Sequence, residues 1–113
     1  MEFRTTNSDQ VVVYHLKGNL IGETDGIPLT ESFSEFLDNN SRKFVISLQH
    51  LQHINSSGLG VLITLLTKAR KHGGDVYLAN PSSFIMNLLI ITKLNTIFKI
   101  FPTEEEAILG FVI

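Results

Sequence analysis

The chain has 113 residues, 43% of them apolar and 18% charged, a size and composition that suit one globular domain and leave no room for two. Nine Lys and Arg stand against eleven Asp and Glu, a formal charge of −2, so there is no net basic field to hold a polyanion and direct nucleic-acid binding is disfavoured. Cysteine is absent, which removes disulfides, thiolate nucleophiles and Cys-ligated zinc together and agrees with a reducing, cytoplasmic setting.

Met1 to Gln10 are polar and lack a basic region followed by an apolar one, so they do not read as a signal peptide. Val11-Val12-Val13-Tyr14 with His15, Leu16 and Lys17 reads as a strand closed by a turn at Gly18-Asn19. After Gly26 and Pro28, Leu29, Phe33, Phe36 and Leu37 recur at helical spacing up to Asp38-Asn39-Asn40. Phe44-Val45-Ile46 with Leu48 is a short apolar strand. Gly58 to Arg70 predicts a second helix with Leu59, Leu62, Ile63, Leu66 and Ala69 on its buried stripe, stopped by Lys71-His72-Gly73-Gly74.

Asp75 to Ala79 alternates as a further strand, and Asn80-Pro81-Ser82 opens a third helix. Phe84 to Ile91 is its apolar part, broken by Asn87 and far short of the ~20 residues needed to span a bilayer; a soluble protein without membrane insertion is expected. Phe98 to Phe101 is short enough for an edge strand. Thr103 followed by Glu106 is the capping-box pattern of a last helix, with Glu104 and Glu105 suiting the positive end of its dipole. Alternating strands and helices of these lengths predict a single-domain α/β sandwich over residues 1–113, in which a mixed, mostly parallel β-sheet packs against α-helices.

The most informative segment is Asn55-Ser56-Ser57-Gly58-Leu59-Gly60, which joins the second strand to the second helix. Two hydroxyls at a helix start sit where free N–H groups and the dipole favour an anion, and Asn55 or Ser56 can also serve as an ordinary N-cap. Gly58 and Gly60 keep the neighbouring surface low. Two readings fit: a plain cap with glycines that ease packing, or a serine presented for modification and partner contact.

From Ile54 to Leu62, with an apolar strand before and Lys71-His72-Gly73-Gly74-Asp75-Val76 after, the chain resembles the STAS domain family, and within it the bacterial anti-sigma factor antagonists. The resemblance extends to Leu16-Lys17-Gly18-Asn19-Leu20, Ala79-Asn80-Pro81, Leu94 to Phe101 and Glu105-Glu106-Ala107. It implies a non-catalytic regulatory module with no cofactor, phosphorylated on Ser56, or less favourably Ser57, by a partner that is both serine kinase and anti-sigma factor with a histidine-kinase-like ATPase fold. A serine phosphatase would restore it. The same resemblance makes Asn55, Ser56, Ser57, Gly58, Leu59 and Gly60 partner contacts. Where the family pattern has Asp, this chain has Asn55, which keeps the shape and the capping oxygen but not the charge. The alternative is an unphosphorylated STAS adaptor subunit in a signalling or lipid-transport assembly.

Two other surfaces stand out. Val61 and Leu65 lie beside the predicted stripe of the second helix, on the side of Thr64, Lys68 and His72; either they extend the partner-binding surface or the buried face is unusually wide. The third helix is apolar almost all round, so with Phe84, Leu88 and Ile91 toward the sheet, Met86 and Ile90 would be left for neighbouring loops, a partner or a homodimer to cover. His15, His50, His53 and His72 form no metal motif, with His50 and His53 read as loop residues, and no hydrolase elbow or phosphate-binding loop occurs. A serine hydrolase would lack a base beside Ser56.

Overall fold

The computed structural model describes residues 1–112. Five strands, β1 (Glu2–Ser8), β2 (Val11–Leu20), β3 (Lys43–Ile54), β4 (Asp75–Ala79) and β5 (Ile100–Phe101), form one sheet in chain order. β1 runs antiparallel to β2, and every later neighbour is parallel. The parallel pairs are joined through α1 (Glu23–Asp38), α2 (Ser56–Lys71) and α3 (Ser83–Ile91), because a parallel step needs a crossover connection. α4 (Glu104–Val112) closes the described chain. The expected α/β sandwich is thus present, with the sheet buried on both faces where the helices cover it.

The larger core lies under α1, α2 and α3. Val12, Tyr14 and Leu16 of β2, Phe44, Ile46 and Leu48 of β3 and Val76 and Leu78 of β4 point into it, meeting Leu29, Phe33, Leu37, Leu62, Leu66, Ile85 and Leu89. The alternate residues Val11, Val13, Val45, Tyr77 and Ala79 form a smaller core under α4, where the Tyr77 ring stacks on Phe111 at 3.8 Å. Strands buried on both faces read as continuous apolar runs, which is why Val11 to Tyr14 and Phe44 to Ile46 show no alternation.

Several elements differ from their sequence expectation. β1, unannounced in its polar sequence, pairs with β2 through a two-residue hairpin in which Asp9 and Gln10 both have positive φ, 52° and 66°, as a type I′ turn requires. β2 does not turn at Gly18-Asn19 but continues to Leu20 through two register shifts against β3. β3 likewise runs on to Ile54, so His50 and His53 are strand residues and not loop residues. α1 begins before Pro28, which sits within the helix. The final strand is Ile100–Phe101 alone, with Phe98 folded into the core.

The helix faces need two corrections. Val61 and Leu65, weighed as exposed partner contacts, are buried, Leu65 completely; α2 packs on the sheet and on α1 at once, so its buried face is wide and Ile63 is left at the surface. In α3 the residues facing the sheet are Ile85 and Leu89, both fully buried, whereas Phe84 is 56% and Ile91 75% exposed. The N-cap is Ser82, whose hydroxyl caps the helix by accepting the Ile85 N–H at 3.2 Å. At α4 the Thr103 hydroxyl accepts the Glu106 N–H at 3.1 Å, as the capping pattern predicts.

Candidate functional site

The site forms at the C-terminal ends of β2 and β3, where α2 begins. Asn55 is the N-cap, in extended backbone conformation, and its Oδ1 accepts the Gly58 N–H at 2.9 Å. Its own carbonyl takes the Leu59 N–H at 2.9 Å, the first bond of the helix. Ser56 and Ser57 are therefore the first two residues of α2, and both are exposed. No acidic residue lies in that first turn, so a negative group added there meets the positive end of the dipole and the unpaired N–H groups.

The six motif residues divide. Asn55, Ser56 and Ser57 are at the surface, and Gly60 is partly so with open space beside it. Gly58 and Leu59 are buried, so they support the surface and do not form it. The reason for glycine at Gly58 is internal: a Cβ there would collide with the Leu20 carbonyl and approach Ile54 Cγ1 to 2.8 Å. The helix start is thereby held against the end of β2.

From Ser57 a shallow groove of about 470 Å³ runs between α1 and α2, lined also by Gly60, Thr64, Ile27, Thr30 and Glu31. The Thr30 and Thr64 hydroxyls each donate to a carbonyl of their own helix, those of Gly26 and Gly60, at 3.0 Å. Both residues line the groove beside Ile27, which is 52% exposed. Ile21, 48% exposed, precedes α1. Periodicity does not single out Ile27, which lies off the buried stripe of α1, and Ile21 lies outside that helix.

His15 is engaged elsewhere, its Nδ1 3.3 Å from Glu104 and its Nε2 2.9 Å from the Thr6 hydroxyl. Among the described residues no group of His, Cys, Asp and Glu is arranged to hold a metal ion, and no helix is long and apolar enough to cross a membrane.

A mixed sheet with helices on both faces and an uncovered Asn-Ser-Ser helix start define a small α/β domain. The family model for the STAS domain matches residues 2–107, and the chain belongs to that family; like the antagonists it resembles, it is a regulatory domain and not an enzyme. It is 34% identical over 76 residues, 67% of either chain, to the Thermotoga neapolitana protein named "Putative anti-sigma factor antagonist TM1081 homolog". The crystal structure of TM1081 itself, from Thermotoga maritima, superposes with a TM-score of 0.87 at 28% identity, covering 96% of this chain and 92% of that one. The phosphorylated form of the Bacillus cell fate determinant SpoIIAA shares the fold, with a TM-score of 0.76 at 21% identity over 97% and 99% of the two chains.

Proposed function

We propose that this chain is an anti-sigma factor antagonist that binds a protein serving as both serine kinase and anti-sigma factor, and is released from it when Ser56 is phosphorylated. The names borne by its relatives support the antagonist role. The observation that carries the switch is the exposure of Ser56 at the first position of α2, on a helix start already capped by Asn55.

A phosphoryl group brings about −1.5 to −2 charges. At the N-terminus of α2 that charge is favourable to the helix, so the scaffold stays folded. Inside a protein interface it must be desolvated, and a misplaced charge costing a few kcal/mol lowers affinity a hundredfold or more. Ser57, the second helical residue, lines the groove toward α1, whereas Ser56 stands at the tip, which favours Ser56 as the acceptor. A serine phosphatase would return the antagonist to its binding form.

The test is to incubate the chain with ATP and the host's candidate kinases of histidine-kinase-like ATPase fold, and to read intact mass and complex formation. A single phosphate increment lost in Ser56→Ala, with the complex dissolving as the increment appears, is the expected result. Stable binding without any increment would instead identify an unphosphorylated STAS adaptor.

A further inference from the structure

β1 is one free edge of the sheet, and all of its residues except Phe3 are exposed. Natural sheets blunt such edges with very short strands, Pro, bulges or charges. The opposite edge follows that rule, since β5 has only two residues. β1 does not: its seven residues contain no Pro, pair with β2 in unbroken register from Glu2 to Ser8, and carry charge only at Glu2 and Arg4.

We propose that β1 pairs antiparallel with β1 of a second copy of this chain, across a two-fold axis at Thr5. On an edge strand the outward N–H and C=O groups belong to alternate residues, so two copies can match them only when the axis passes through a residue and not between two. Centring on Arg4 would set two guanidinium side chains directly opposite, which is destabilising. Centring on Phe3 or Thr6 shortens the ladder. Centring on Thr5 uses all of β1, sets Thr5 against Thr5, Arg4 against Thr6 and Glu2 against Ser8, and places no like charges directly opposite, the two Arg4 being diagonal neighbours about 7–8 Å apart.

The layers above the sheet leave space for this joint. α1 packs over β2, where Tyr14 meets Phe33 and Phe36 and hydrogen-bonds Ser32. In a joined sheet the two β2 strands would be three strand spacings apart, about 14 Å, and packed helices need only about 8–10 Å. Phe3 and Phe36, both half-buried against Tyr14 at 5.6 and 6.1 Å between ring centres, would be covered in the seam. Because the two copies run in opposite directions, their Ser56 surfaces lie at opposite ends of the doubled sheet. Self-association is therefore independent of the switch and leaves both serines open.

Sedimentation velocity on the intact chain, from low micromolar to near-millimolar concentration, should show a reversible monomer–dimer equilibrium. Thr5→Lys and Thr5→Glu, each at an exposed position, should each weaken it about tenfold by opposing like charges across the axis, and mixing the two variants should restore the dimer. As the chain has no cysteine, Thr5→Cys should form a disulfide-linked dimer under mild oxidation faster than Arg4→Cys, with unchanged circular dichroism. A chain that stays monomeric throughout, a dimer indifferent to both charged variants, or variants that fail to recombine would overturn the proposal.

Discussion

Asn55 and Gly58 are locked to each other: the Asn55 side chain accepts the Gly58 N–H at 2.9 Å, and Gly58 in turn sits so close to the Leu20 carbonyl that no side chain fits there. The pair fixes where α2 begins and hence where Ser56 is presented. Asn55→Ala should lose the cap and cost about 1 kcal/mol of stability, whereas Asn55→Asp should retain it and gain about 0.3–1 kcal/mol at low salt from the dipole. Gly58→Ala should be the most damaging of the three, by roughly 1–3 kcal/mol, because backbone and not a movable side chain blocks the new methyl. Urea unfolding of the three variants, compared at equal slope, checks the order.

Ser56 offers the sharpest functional comparison. Ser56→Ala removes only an exposed hydroxyl and should leave both stability and partner affinity nearly unchanged. Ser56→Asp places a carboxylate at the first helical position, where the fold tolerates it, and should weaken partner binding on the order of a hundredfold, about 2.7 kcal/mol. Isothermal titration against the purified anti-sigma partner measures both; equal affinities would remove the electrostatic switch.

The helix start was readable because its chemistry is local. An Asx residue and two serines before an apolar helix state a cap directly, and Asn55 performs it. What surrounds the site was not local. The need for glycine at Gly58 comes from Leu20, in another strand, and Val61 is covered by Gly26 of α1. α3 illustrates a different limit: Phe84 to Ile91 is apolar at nearly every position, so its periodicity carries no phase, and packing against the sheet turns Ile85 and Leu89 inward. β1 was invisible for the opposite reason. It buries little, its turn is Asp9-Gln10 in place of the usual Asn-Gly or Asp-Gly, and its partner β2 supplies the order.

The buried position of Val61 gives a prediction of its own. A Cβ added at Gly26 of α1 would lie 2.5 Å from Val61 Cγ2 of α2, so this glycine sets how closely the two helices cross. Gly26→Ala should cost about 1–3 kcal/mol through overpacking, even though alanine is the better helix former. Val61→Ala alone should also destabilise, by loss of buried methyl groups. The double variant should be more stable than the sum of the two, since the two methyls lost at Val61 make room for the one gained at Gly26. A double-mutant cycle showing simple additivity would mean that the helices do not meet as closely as this.

Tyr14 links stability to alkaline pH. Its ring is fully buried between Phe3, Phe33 and Phe36, and its hydroxyl lies 2.9 Å from the Ser32 hydroxyl. Burial pushes its phenol up to about 12, the Ser32 hydrogen bond opposing the rise and Glu35 adding to it. With the folded value above the unfolded value of about 10, the folded state holds the proton more tightly, so the stabilisation is fully present below pH 10. It is lost as pH rises toward 12, by roughly 2–3 kcal/mol in all. Tyr14→Phe cannot ionise: it should be about 1 kcal/mol less stable at neutral pH for want of the hydrogen bond, yet its stability should decline less steeply between pH 10 and 12. Denaturant midpoints of the two proteins across that interval should therefore converge and then cross, and parallel curves would show that Tyr14 ionises as readily folded as unfolded.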